Sequence, residues 1–309
     1  MRSEVSVPTR TGEFTVPYTQ SLHYFCTETT QTLLYPGYFD HQANWHRLIS
    51  LDGKPVTINV SPEGCVQWSC HDAIESAKVQ ETVHRLLISL PLPEEAKKSL
   101  PRELEARFRS LHPLVHITSL SLGEALMKAI IRQVITAGHA KKLTDAFIRH
   151  YGEKQVYDGK TYYDFPSLEA IAKISLEDLQ TEGLGFKAKV VHWAALCLLE
   201  NDLEAKIAQV SPQEALALLT SIKGIGRWTA HVALCDWLAN WSYYPFEDLA
   251  VRTWAGKLWG GVQWPHDERQ FAACWQQING DYAGVITFYL LSCAATQRIP
   301  QPYAQEVLF

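Results

Sequence analysis

At 309 residues, 47% apolar and 20% charged, the chain has the size and composition of a globular protein of one large domain or two smaller ones, not of a disordered or fibrous one. No apolar run reaches the ~18 residues of a membrane span, and "MRSEVSVPTRTGEFTV" lacks the apolar centre of a secretory signal, so a cytoplasmic protein with no membrane partner is expected. The net charge of −5 argues weakly against nucleic acid as the main partner, but binding is decided by the local face. Basic residues gather at Arg132, His139, Lys141, Lys142 and Arg149, and again at Lys187, Lys189 and His192; a solvated helix face is the plainer account of either cluster. Seven cysteines with no CxxC pair fit reduced thiols, and no Cys/His set has the spacing of a metal site.

The first ~90 residues read as β-rich. "RLISLDGKPVTINVSPEGCVQWSCH" alternates apolar and polar residues around two turns, Asp52-Gly53 and Pro62-Glu63-Gly64. Val56, Ile58 and Val60 then share one face, as do Val66, Trp68 and Cys70. Residues 74–90 take helical spacing through Val79, Val83, Leu86, Leu87 and Leu90. "PLPEEAKKSLPRE" reads as a linker into short helices. From about residue 119 onward the pattern is helical throughout. Ser121 with Glu124 forms a capping box before a stripe of Leu126, Ala129, Ile130 and Val134, and a later helix ends at Tyr151-Gly152. Ser175 with Asp178 resembles a weaker cap, and Ser211-Pro212 with Glu214 is the clearest helix start. The next helix spans about Arg227 to Ala239, and another begins near Pro245-Phe246-Glu247-Asp248.

Between two of these helices stands "IKGIGRWTA". A dinucleotide fingerprint would need G-x-G-x-x-G after a strand; here the pair follows a helix and Thr229 stands at the third position. A plain helix-helix turn needs only one glycine. Two glycines permit positive φ and let a ligand approach the main chain, while Ile225 between them can point into the core. The N–H groups of Gly224, Gly226 and the next helix, flanked by Lys223 and Arg227, would then suit a phosphate. Both the ordinary turn and the anion site remain open on these residues alone.

Helix, G-I-G hairpin and helix, followed by the Pro-containing "YYPFEDLAVRTW" with Asp248, resemble the helix-hairpin-helix DNA glycosylase superfamily. Within it "GIGRWTA" is most similar to the alkylated-base branch of 3-methyladenine DNA glycosylase II. "AIIRQVITAGHAKKLTDAFIRHYG" resembles the family's minor-groove-probing segment, and the β-rich start fits the TBP-like domain of that branch. The likeness covers about residues 113–260 well and the two ends loosely. It implies an α+β fold: a TBP-like domain over 1–90 and a mainly helical glycosylase region over 91–309. The latter would form two subdomains (about 116–231; 91–115 plus 232–309) with the active-site cleft between them.

The resemblance also implies a chemistry. The enzyme would be a monofunctional glycosylase of base excision repair that flips an alkylated purine out of duplex DNA and hydrolyses its N-glycosidic bond. Asp248 matches the catalytic aspartate that stabilises an oxocarbenium-like sugar, although an aspartate at a helix start is also an ordinary N-cap. Trp228 falls at a base-pocket position, and the pocket's far wall would fall near Tyr289 or Leu290; the Trp228 indole face would attract a cationic base, and a core tryptophan is the alternative. Superfamily members with lyase activity carry lysine where Trp228 stands, so no Schiff base is expected. Gln133, Val134, Lys223, Gly224, Gly226, Arg227 and Thr229 would meet DNA, with Val134 either the wedge or a core residue. Val232 stands where the close relative has a pocket tyrosine. With only Cys274 and Cys293 near the C-terminus, no iron–sulfur cluster or other cofactor is expected, beyond a monovalent cation on the carbonyls of Thr220, Ile222 and Ile225. The partner would be double-stranded DNA holding a damaged base, met by a monomer in the cytoplasm or on a bacterial nucleoid. Two other readings stay open: a glycosylase for oxidised or deaminated purines, and a hairpin module that only binds DNA.

Overall fold

The Asp52-Gly53 turn reverses the chain between two antiparallel strands, with φ of 53° and 72° at its two residues. Left-handed backbone at both positions matches the twist of a hairpin, and Asp-Gly adopts it at little cost. The computed structural model describes residues 10–16, 37–40, 42, 44–111 and 114–296; the first nine residues of the stretch read for a leader lie outside them. The strands β1 (Arg10–Thr15), β2 (Tyr38–Phe39), β3 (Trp45–Leu51), β4 (Lys54–Val60) and β5 (Cys65–Cys70) form one antiparallel sheet in the order β1-β5-β4-β3-β2. Val56, Ile58 and Val60 lie opposite Cys70, Trp68 and Val66, so the two expected faces meet across one ladder. All six side chains are buried, in one core with Val79, Val83 and Leu86 of α1 (Ser76–Leu86). Gly12 on β1 pairs with Trp68, where a Cβ would come within 2.5 Å of the indole; only glycine leaves that space to the ring.

The helix expected over residues 74–90 stops at Leu86. Leu87–Leu90 instead forms β6, paired antiparallel with β7 (Leu114–Ile117). A short apolar run fits either periodicity, and here the partner strand supplies its backbone hydrogen bonds. Two short helices, α2 (Glu94–Lys97) and α3 (Arg102–Leu111), lie between the two strands.

The helical part follows as α4 (Leu122–Ile131), α5 (Ala137–Tyr151), α6 (Leu168–Lys173), α7 (Leu176–Leu179), α8 (Lys187–Asn201), α9 (Leu203–Ile207), α10 (Pro212–Thr220), α11 (Arg227–Leu238), α12 (Leu249–Leu258), α13 (Glu268–Asn279) and α14 (Ala283–Thr296). Every residue of α4 is buried, which places it at the centre of a core running from Leu92 to Cys293. The region is not helical throughout. A hairpin of β8 (Lys154–Tyr157) and β9 (Lys160–Tyr163) interrupts it, turning on Asp158 and Gly159 with φ of 49° and 70°. The capping box at Ser211 and Glu214 is complete. At Ser121 only half of one forms: its hydroxyl accepts the Glu124 N–H at 3.0 Å, but the Glu124 carboxylate turns to Arg47 at 2.9 Å. The same carboxylate oxygen also accepts the Leu120 N–H at 3.2 Å, one residue before the N-cap.

Candidate active site

Ile222 and Ile225 are buried, and the Ile225 N–H donates to the Ile222 carbonyl at 3.0 Å, so apolar residues pin the loop between α10 and α11. Gly224 has φ of 91°, and a Cβ on it would lie 2.7 Å from Val190. Only Gly224 uses the positive φ that both glycines permit: Gly226 has φ of −85°, and a Cβ there would meet nothing within 4 Å. It is the N-cap of α11, and no side chain caps that helix. The first N–H groups of α11, at the positive end of its dipole, are thus flanked by exposed Lys223, Gly224, Gly226 and Arg227.

Thr229 departs from the expected surface set. It is buried, and its hydroxyl accepts from Gln133 Nε2 at 2.8 Å, so it ties the first turn of α11 to the loop after α4 instead of facing outward. Gln133 Nε2 also donates to the Gly224 carbonyl at 3.2 Å. Val134 lies beyond the end of α4, off its apolar stripe, with φ of 55° and 89% of its surface exposed. A β-branched residue in the left-handed region costs on the order of 1–3 kcal/mol. A core position for Val134 is ruled out.

Asp248 is the N-cap of α12. Its Oδ1 accepts the Ala250 N–H at 2.7 Å, while Oδ2 accepts the Trp228 indole N–H at 2.5 Å and the Tyr244 hydroxyl at 3.5 Å. Capping and a second role therefore use different oxygens of one carboxylate. Burial, followed by the Asp248 charge, pushes the Tyr244 phenol far above its ordinary value, so it remains a donor. Trp228 directs its N–H edge at Asp248, and the Arg132 guanidinium lies 5.9 Å from its ring centroid. Arg252 Nε donates to the Glu247 carbonyl at 3.0 Å and its Nη2 to Glu268 at 2.6 Å, bracing the loop before α12.

Beside Tyr244 opens a cavity of about 320 Å³ with walls from Val232, Trp241, Tyr244 and Phe288, and polar groups from His116, Lys128, Arg132 and Asp236. Trp241 stacks on Tyr244 with centroids 5.0 Å apart and packs on Phe288 at 4.6 Å. Neither of the two expected pocket residues, Trp228 and Tyr289, lines it. Tyr289 is fully buried on the other side of α14, its hydroxyl donating to the Leu90 carbonyl at 3.0 Å and its ring against Phe108. The aromatic wall expected from Tyr289 comes from Phe288, one residue earlier.

No protein-family model matches the chain. It is 28% identical over 132 residues to the DNA-3-methyladenine glycosylase of Bacillus subtilis, covering 42% of this chain and 44% of that protein. It is 29% identical over 152 residues to DNA-3-methyladenine glycosylase 2 of Escherichia coli, covering 48% and 51%. The chain thus spans about half the length of these curated relatives. The solved 3-methyladenine DNA-glycosylase from Archaeoglobus fulgidus superposes with a TM-score of 0.72 at 24% identity, over 92% of this chain and 98% of that one. The fold is that of the helix-hairpin-helix DNA glycosylases. The hairpin of this glycosylase fold is the Ile222–Ile225 loop, and the sheet of β1–β5 is its N-terminal layer.

The glycosylase fold brings Trp228, Asp248, the hairpin and the Gln133-Val134 loop to one region. Sequence reasoning missed Tyr244, Trp241 and Phe288, and saw Arg132 only as part of a basic cluster. The aromatic run "WSYYPF" just before Asp248 was a usable signal for the first two. For Phe288 there was none, because Ile286, Thr287, Tyr289 and Leu290 of α14 are all fully buried and no facing can be read from the pattern.

Proposed function

We propose that the chain is a monofunctional DNA glycosylase that hydrolyses the N-glycosidic bond of alkylated purines of the 3-methyladenine and 7-methylguanine type. The observation that carries this reading is the Asp248 carboxylate, anchored by Ala250 and Trp228 next to an aromatic cavity of small-molecule size. The base would leave the duplex for that cavity, with Val134 entering the gap and the hairpin N–H groups holding a backbone phosphate. As the C1′–N bond lengthens, positive charge grows on the sugar and Asp248 stabilises it. Water adds to C1′, and its proton passes to the carboxylate or to solvent. A cationic alkylated base departs neutral, so no strong general acid is required.

Trp228 offers no amine to the sugar, and hydrolysis without a covalent intermediate follows. In the same proposal a monovalent cation rests on the carbonyls of Thr220, Ile222 and Ile225 and adds positive charge near the phosphate. The Ile222 carbonyl accepts one hydrogen bond and keeps a second lone pair. The reading further assigns residues 1–90 to one domain and 91–309 to the glycosylase region, and duplex DNA to a monomer acting in the cytoplasm. Among the described residues no helix is long and apolar enough to cross a membrane.

The test is base release from three duplexes carrying N-methylpurines, hypoxanthine or 8-oxoguanine. The proposal expects fastest release from the methylated duplex. Faster release of 8-oxoguanine would move the chain to the oxidised-purine reading, and binding with no release from any duplex would leave a hairpin module.

A further inference from the structure

The cavity has a charged floor that the excision chemistry above does not use. Arg47 of β3, fully buried, donates through Nη2 to Glu124 at 2.9 Å and lies 3.4 Å from Asp164. Glu124 meets Lys128 at 3.3 Å, and Lys128 Nζ meets Asp236 Oδ2 at 2.9 Å. The Ser119 hydroxyl donates to the same Oδ2 at 2.5 Å, and His116 Nε2 lies 3.3 Å from Oδ1. Trp241 donates its indole N–H to His116 Nδ1 at 3.2 Å, which places the proton of neutral His116 on Nε2, facing Asp236. Lys128, Asp236 and His116 all line the cavity, and 15% of the Asp236 side chain remains accessible.

Replacing buried ion pairs by apolar residues of similar volume is often neutral or stabilising, so stability alone is a weak account of these charges. A carboxylate has about four acceptor sites, and three donors engage Asp236, which leaves capacity for one more at the accessible edge. Burial alone would push this carboxyl up. Lys128 and the hydrogen bonds from His116 and Ser119 outweigh burial and hold it well below the usual carboxylate range, so it stays an acceptor. The aromatic walls of Trp241, Tyr244 and Phe288 would pack against any flat ring and cannot tell one from another.

We infer that Asp236 determines base specificity by accepting a hydrogen bond from an N–H on the Watson–Crick edge of the extruded base, so that purines with such a donor are taken over purines without one. The inference rests on the reading that this cavity holds the base. Guanine and hypoxanthine derivatives offer N1–H and adenine derivatives an exocyclic amine, whereas unsubstituted purine offers neither. Arg47 and Glu124 hold Lys128, and through it the carboxylate, from beneath.

Single-turnover release is measured from otherwise identical duplexes containing hypoxanthine, unsubstituted purine or 7-methylguanine. Three proteins are compared: the parent chain, Asp236→Asn, and the double variant Lys128→Met with Asp236→Leu. The first substitution keeps shape; the second removes both charges together, so that neither is left buried alone. Melting temperature and duplex binding report the fold. Both variants should lose about tenfold on hypoxanthine and on 7-methylguanine, and much less on purine, which is the worth of one hydrogen bond to a charged acceptor. Differences in leaving ability cancel when each variant is referred to the parent. If 7-methylguanine release and the hypoxanthine-to-purine ratio are unchanged in both variants, the inference is overturned while the proposed function stands. If the parent releases none of the three bases, the proposed function falls and this assignment with it.

Discussion

The two oxygens of Asp248 do separate work, one capping α12 and the other held by the Trp228 indole N–H and the Tyr244 hydroxyl. Trp228 can therefore matter in two ways, as a donor that aims the carboxylate and as a π surface for a cationic base. Two substitutions separate them. Trp228→Phe keeps a ring but removes the donor, and should slow release of 7-methylguanine and hypoxanthine by similar factors of about tenfold. Trp228→Ala also removes the face and should cost the cationic base a further factor of about 2 to 30, the range of a cation–π contact. Equal losses on both bases in Trp228→Ala would reduce the indole to packing and aiming. Asp248 and Trp228 could be singled out in the sequence because each stands at a fixed offset from the G-I-G hairpin, and the structure joins the two by a hydrogen bond. Tyr289 was misread for its neighbour Phe288, because α14 is buried nearly all round and carries no polar face to fix its rotation.

At the scale of elements, the hairpin assigns its two glycines different tasks. Gly224→Ala would force a side chain into φ of 91° against Val190 and should lower stability by about 1–3 kcal/mol in thermal or urea unfolding. Gly226→Ala meets open space, so stability should hold while the added methyl obstructs a phosphate. Its affinity for any duplex should fall about tenfold, with a shallower dependence on salt than the parent, in anisotropy titrations across salt concentration. Unchanged affinity in Gly226→Ala would remove the anion site. The Asp-Gly turn at 52–53 was read correctly, yet the same dipeptide at 158–159 was passed over because its flanking strands are four residues each, too short to show a period of two between long helical segments. Leu87–Leu90 was read as helix for a related reason: a run of four apolar or small residues carries no period of its own, and the partner strand that decides it lies more than twenty residues away.

Across the whole molecule, the buried Arg47 ties the N-terminal sheet to the helical core through Glu124 and Asp164. Sequence alternation gave no hint of this, because β3 is buried on both faces and its arginine reads as an outward residue. The closer partner, Glu124 at 2.9 Å, takes most of the guanidinium's attraction. Asp164 is left dominated by burial, with Arg47 pulling down and Glu124 pushing up, and its carboxyl rises from 3.8 to about 6. The folded state then holds a proton that the unfolded chain releases between these values. The stabilising contribution is full below pH ~4 and is lost as pH rises through about 6. Asp164→Asn should therefore gain on the parent by up to ~3 kcal/mol as pH rises from 4 to 8, read from urea unfolding at each pH. A difference that does not change with pH would contradict this account of Asp164.

In the proposed reaction one carboxylate, Asp248, carries base release. Single-turnover release of 3-methyladenine and 7-methylguanine from methylated duplex, measured beside duplex affinity for Asp248→Asn and Glu247→Gln, tests it most directly. Asp248→Asn should keep duplex affinity and lose at least ~10²-fold in release, since an electrostatic stabiliser of the transition state is neutralised. Glu247 precedes it by one residue and lacks the anchoring by Trp228, so Glu247→Gln should change release far less. Equal losses in the two variants, or full release by Asp248→Asn, would contradict the assignment.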